Sequence, residues 1–118
     1  MDTFTTAYIE CAIWADSPEG ADCYDDIDLS PELLTCMISD CRLFQTSNKE
    51  LLEEAYDDFH YTKTQAGHDF WLTRNSHGAG FWDRGLAHVG SHLTEKAKAC
   101  GSYGLFVGDG GMVHGERM

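Results

Sequence analysis

The stretch AGHDFWLTRNSHGAGFWDRG, Ala66 to Gly85, decides the fold, because it gathers four large aromatics, two histidines and four glycines into twenty residues. His68 to Arg74 is rich in aromatics, Asn75-Ser76-His77-Gly78 offers a glycine for positive φ, and the aromatics return from Ala79 to Trp82. Two such runs around a glycine-bearing turn predict a β-hairpin. Side chains alternate along a strand, so Phe70 and Leu72 would share one face, Trp71 and Thr73 the other, while Phe81 and Trp82 point opposite ways. Both faces then need cover, or one exposes a tryptophan. Trp71 and Trp82 are therefore candidate exposed anchors for a partner. In the same hairpin Asp69 lies opposite Asp83 and Arg84, where a cross-strand ion pair is expected.

Downstream, Asp83 can cap a helix over Arg84–Ala99, with Leu86, Val89, Leu93, Ala97 and Cys100 on one stripe and Lys96 and Lys98 near its C-terminal end. Gly90 inside it costs about 1 kcal/mol relative to Ala, which points to close packing on the sheet. Tyr103 to Val113 reads as two short strands around the turn Gly108-Asp109-Gly110-Gly111.

Upstream the character is helical. Phe4, Tyr8, Cys11, Ala12 and Ala15 stand at helical spacing in TFTTAYIECAIWA, although Ile9, Cys11 and Ile13 keep a strand reading open. Asp16 to Leu29 is a loop marked by Ser-Pro, Gly20 and a run of acids. Ser30-Pro31-Glu32 is a helix start, with a capping Ser, Pro at the first helical position and an acid in the positive first turn. Leu33, Leu34, Met37, Ile38, Cys41 and Phe44 follow as a core stripe. Ser47-Asn48-Lys49-Glu50 resembles a capping box for a second helix carrying Leu51, Leu52, Ala55, Tyr56 and Phe59. The stripe nonetheless keeps phase through residues 37, 41, 44, 48, 51 and 55, so one long, kinked helix is preferred. The expected architecture is a single α+β domain over 1–118: an N-terminal helical half (helix, acidic loop, long helix) followed by β-β-α-β-β in a small antiparallel sheet.

Composition narrows the classes. A chain of 118 residues with 42% hydrophobic residues has enough apolar material for one core and argues against disorder. No apolar run approaches the ~20 residues of a membrane helix, and MDTFTTAYIE lacks the basic n-region of a secretion signal, so a cytoplasmic protein is expected. The five cysteines show no C-x-x-C and no regular spacing, which favours reduced, mostly buried thiols. The net charge is −12, and it is divided unevenly. Residues 1–60 carry 15 Asp/Glu against 2 Lys/Arg, a net of −13; residues 61–118 carry 5 against 6, a net of +1. Such a field repels nucleic acid and anionic membranes and attracts basic surfaces.

Few residues spell out chemistry. Asp25, Asp26 and Asp28 invite a calcium reading, but an EF-hand loop needs Gly at its sixth position, and counting from Asp26 that position is Pro31. His88 and His92 stand at i, i+4, where two imidazoles can share a metal; the H-E-x-x-H pattern is absent, and a third ligand would have to come from His68, His77 or Asp69. No G-x-S-x-G elbow and no phosphate loop is present. A non-enzymatic protein without cofactor is the expectation, with a histidine-lined metal or small-molecule site at His68, His88 and His92 as the alternative.

The Ala66–Gly85 motif, followed by Leu86, Leu93-Thr94 and Leu105-Phe106-Val107-Gly108-Asp109-Gly110-Gly111, resembles a group of small acidic proteins encoded by bacteriophages and prophages. Ser76 departs from the Gly expected in that group's N-G-H-G turn. The resemblance carries no catalytic mechanism; it implies a protein acting in the cytoplasm of a bacterial host. Combined with the charge, it suggests inhibition of a host defence protein, of CRISPR or restriction type, through a basic nucleic-acid-binding surface, with carboxylates standing in for phosphates. The partner-binding candidates are Asp22, Asp25, Asp26, Asp28, Glu50, Glu53, Glu54, Asp57 and Asp58. A structural or regulatory phage protein that oligomerises through Trp71 or Trp82 is a further alternative.

Overall fold

A computed structural model describes residues 1–18 and 29–118. Among these, five α-helices lead into a C-terminal two-stranded sheet: α1 (Thr3–Asp16), α2 (Pro31–Ser47), α3 (Lys49–Asp58), α4 (Lys63–Arg74), α5 (Ala87–Ala99), β1 (Tyr103–Val107) and β2 (Val113–Arg117). A single 3-10 turn, Phe81–Asp83, joins α4 to α5, and another, Asp109–Gly111, closes the hairpin. The fold is mixed α+β and mostly helical. None of the helices is long and apolar enough to cross a membrane.

Local signals explain the helical half. Asp2 caps α1 by accepting the Thr5 N–H at 2.8 Å, and Phe4, Tyr8, Cys11 and Ala12 are buried at helical spacing, so the strand reading of this segment falls away. Ser30 accepts the Leu33 N–H at 3.1 Å and Pro31 opens α2, as its sequence predicts. The expected long helix is divided at Asn48, whose φ of −119° and ψ of 26° leave the helical region. Its N–H and its Nδ2 both donate to the Phe44 carbonyl, which terminates α2. The break also shifts the stripe: Leu52 and Ala55 are the buried apolar residues of α3, while Leu51 is only partly covered.

The largest correction falls on the central motif. His68–Arg74 is not a strand but the body of α4, and Phe81–Asp83 is a 3-10 turn, so the sheet has two strands instead of four. The Thr62 side chain accepts the Gln65 N–H while Gln65 Oε1 accepts the Thr62 N–H, a complete capping box that starts the helix. Ala66, Gly67, Asp69, Phe70, Trp71, Thr73 and Arg74 are all buried, because α4 runs through the middle of the molecule with α1, α5 and the 3-10 turn packed around it. A helix covered on nearly every side shows no alternation of polar and apolar faces, which removes the periodicity that distinguishes helix from strand. Phe70 stacks on Phe44 at 4.1 Å, Phe44 on Phe81 at 5.9 Å, and Trp71 meets Tyr8 edge-on at 5.3 Å, forming the aromatic centre.

The other expectations for this half fare better. Helix α5 begins at Ala87 rather than Arg84, with Leu86, Val89, Leu93 and Ala97 buried as the stripe predicts. Asp83 caps the 3-10 turn instead, accepting the Gly80 N–H at 3.2 Å. Gly90 does mark a close approach, though to the 3-10 turn and not to a sheet: a Cβ there would lie 2.8 Å from the Phe81 carbonyl oxygen. β1 and β2 pair antiparallel around the glycine turn, from Tyr103↔Arg117 to Val107↔Val113.

Candidate binding surface and the polar centre

Helix α3 carries the described part of the acidic surface. Glu50, Glu53, Asp57 and Asp58 are exposed and Glu54 is half-buried, while Leu52 and Ala55 hold the opposite side in the core. Asp22, Asp25, Asp26 and Asp28 lie outside the described residues. Two of the five α3 carboxylates have basic side chains beside them: Lys49 Nζ stands 3.9 Å from Glu53, and His88 Nε2 stands 3.0 Å from Glu54. Glu50/Glu54, Glu53/Asp57 and Glu54/Asp58 are like-charge pairs at i, i+4, which oppose helix formation. Asp57 and Asp58 occupy the last turn, where the helix dipole is negative and no basic residue balances them.

Asp40, by contrast, belongs to the interior. It accepts from Arg74 Nη1 at 2.9 Å and from Arg117 Nη2 at 3.3 Å. Arg74, almost fully buried, also donates to the Tyr8 hydroxyl at 3.0 Å, to the Gly101 carbonyl at 2.8 Å and to the Cys100 carbonyl at 3.1 Å. Its guanidinium lies 5.3 Å from the Phe70 ring centre and 5.4 Å from that of Tyr103. One side chain thus ties α4 to α1, to α2 and to the α5–β1 connection.

The expected Asp69–Arg84 pair forms, but between a helix and the loop after the 3-10 turn. Asp69 is fully buried and takes Arg84 through two nitrogens at 2.9 and 3.1 Å, while the Tyr61 hydroxyl donates to Oδ2, which also accepts from Arg84 Nε. Burial, and next the Asp69 charge, push the Tyr61 phenol far above its ordinary value, so it stays a neutral donor. Asp69→Ala is expected to cost about 2–3 kcal/mol, below the full cost of breaking a buried pair because Arg84 reaches solvent. Urea melts of this variant check the figure, and a loss under ~0.5 kcal/mol contradicts a stabilising role for the pair.

Trp71 is completely buried and cannot serve as an exposed anchor, which overturns that expectation. Its Nε1 donates to Asp16 Oδ2 at 2.6 Å, and His77 Nε2 meets the same oxygen at 2.8 Å, fastening the end of α1 to the end of α4. Trp82 is exposed at 51% and remains available to a partner. The histidines of the metal alternative are not assembled. His88 and His92 stack edge-on with ring centres 6.1 Å apart, His68 is half-buried on α4, and among the described residues no three His, Cys, Asp or Glu side chains converge. Burial pushes the Cys11 thiol up to about 11 and those of Cys41 and Cys100 above their ordinary value, which keeps them protonated at neutral pH.

The Arg74–Asp40–Tyr8 and Asp16–Trp71–His77 groups have no signature in the sequence, since their members are separated by tens of residues. The capping box Thr62-Lys63-Thr64-Gln65 is a signature, and it marks the true start of α4. Comparison of the chain with known protein families, with curated proteins and with solved structures finds no match to any of them.

Proposed function

We propose that this is an acidic binding protein whose α3 face, with Trp82 as a second contact, engages a basic, nucleic-acid-binding surface on a bacterial host defence protein. One observation carries the reading: α3 sets three like-charge i, i+4 pairs and two terminal carboxylates at the surface, with only Glu54 half-buried, in an arrangement that helix electrostatics opposes. Stability does not account for such a placement, whereas attraction to Lys and Arg on a partner does. Glu50 to Asp58 spans about 12 Å along the helix axis. That matches roughly three to four base steps of one nucleic-acid strand at ~3.4 Å each, and charge complementarity across such a contact makes association fast and salt-sensitive. The bacterial cytoplasm as the site of action and a defence complex as the target rest on the phage-type motif and the charge.

Changing Glu50, Glu53, Glu54, Asp57 and Asp58 together to Gln or Asn is expected to move stability and binding in opposite directions. Relief of three repulsive pairs, at about 0.2–0.5 kcal/mol each, raises Tm by a few degrees. Capture of a partner from bacterial lysate, strong at ~50 mM salt and weak at ~300 mM for the wild type, is lost in the variant. Equal capture by both proteins removes α3 from the binding surface, and capture that ignores salt removes the electrostatic mechanism.

A further inference from the structure

The end of α2 and the last turn of α5 border a cleft of about 360 Å³, with Arg117 of β2 as its third wall. That volume lies at the lower end of the range for small-molecule sites. Leu43, Phe44 and Ala99 give the cleft apolar walls, Lys96 and Arg117 give it charge, and Asn48 contributes a buried amide. None of the α3 carboxylates lines it, so it is separate from the acidic face.

Its charge runs against that of the chain. The sequence has 8 Lys and Arg against 20 Asp and Glu, yet two of the eight meet at this cleft and a third, Arg74, stands behind it. Arg74 and Arg117 share Asp40, at 2.9 and 3.3 Å, and among the described residues neither pairs with another carboxylate. Lys96 is exposed and, among the described residues, has no ion pair. Three cations on one carboxylate leave two positive charges, which a cleft with apolar walls focuses on an incoming anion.

Asn48 is the second observation. It stands at the N-cap of α3, where an Asn side chain ordinarily accepts an N–H of the first turn, but it makes no such bond. Its Nδ2 donates to the Phe44 carbonyl at 2.9 Å, which fixes the amide orientation and turns Oδ1 away from α2. The residue is only 7% exposed, and among the described residues nothing donates to Oδ1. The unpaired side-chain atoms that are fully enclosed are the Tyr56 hydroxyl and His114 Nε2, so Asn48 Oδ1 keeps access to the cleft it lines. A buried amide oxygen without a donor is completed by a ligand N–H.

We infer that this cleft binds a nucleoside monophosphate, with its phosphate on Lys96 and Arg117, a base N–H on Asn48 Oδ1, and its rings along Leu43, Phe44 and Ala99. A phosphate monoester carries about −1.5 to −2 at neutral pH and neutralises both spare cations, whereas a carboxylate neutralises one. Arg117 offers a planar fork and Lys96 a point charge, the two side chains that hold phosphates. An N–H on the pairing edge and a flat apolar face are what a base brings to a protein pocket. A nucleic-acid strand would carry further phosphates into the field of a −12 chain, which selects the single nucleotide.

Isothermal titration calorimetry of the full chain with the monophosphates of adenosine, guanosine, cytidine and uridine tests this. At least one is expected to bind with a Kd on the order of 10–100 μM. Ribose 5-phosphate, which keeps the phosphate and lacks the base, should bind at least ~10-fold more weakly, and Lys96→Gln and Arg117→Gln should each weaken the nucleotide by a similar factor. Both side chains are exposed and Arg74 still holds Asp40, so the variants should melt with the wild type. The proposal is overturned if none of the four monophosphates gives heat at millimolar concentration, or if ribose 5-phosphate matches the nucleotide. Wild-type affinity in the Lys96→Gln/Arg117→Gln double variant, or tighter binding of a short 5′-phosphorylated oligonucleotide, overturns it as well.

Discussion

Gly67→Ala is expected to destabilise the protein by about 3 kcal/mol or more, although alanine is the better helix former by up to ~1 kcal/mol. Among the described residues α1 and α4 form the most extensive helix–helix contact, and Gly67 faces the α1 backbone within it. A Cβ at Gly67 would fall 2.2 Å from the Phe4 carbonyl oxygen and 3.0 Å from the Ala7 Cβ. The first neighbour is main chain inside a helix, so no rotamer change relieves the clash; the helices must separate. Separation loosens the stack of Phe4, Phe44 and Phe70, whose ring centres lie within 6.1 Å of one another. Denaturant melts should show a lower midpoint for Gly67→Ala. A variant within ~1 kcal/mol of wild type means that α1 and α4 do not approach so closely in solution.

Arg74→Met is expected to cost about 3–5 kcal/mol, even though methionine fills much of the same volume. The substitution strands the Tyr8 hydroxyl, the Gly101 and Cys100 carbonyls and one oxygen of Asp40, each deprived of a donor. Against a typical total of about 5–15 kcal/mol, a loss of that size leaves a marginal or unfolded chain. Arg74→Lys should recover little, because one ammonium cannot reach partners spread around a planar fork. Removing both charges in Arg74→Met/Asp40→Leu should cost less than the sum of the single changes, since part of each penalty is the other's unpaired group. Strict additivity in that cycle contradicts direct coupling.

Both predictions concern the Ala66–Gly85 motif. Gly67, Phe70, Trp71, Phe81, Asp69 and Arg74 serve the packing of α4 and the turn behind it. Gly80 shows the same logic: a Cβ there would lie 2.2 Å from Thr73 Oγ1, the atom that accepts the Phe81 N–H at 3.1 Å. The proposed binding surface lies outside this motif, on the carboxylates of α3, whose spacing opposes local stability.

Short-range signals were legible in the sequence by itself: the Ser30-Pro31 start of α2, the stripe of α5, the glycine turn between β1 and β2, and the concentration of acids in the first sixty residues. Each depends on residues a few positions apart, so local chemistry determines it. The α+β class followed from these. Only the tertiary structure decided that His68–Arg74 is helical, that Trp71 is buried and that Asp40 pairs with Arg74. A helix enclosed on nearly every side beyond its first turn loses the polar–apolar contrast by which sequence reveals helices, and its aromatic content then imitates a strand. Ion pairs such as Arg74–Asp40, 34 positions apart, form only after the helices have packed.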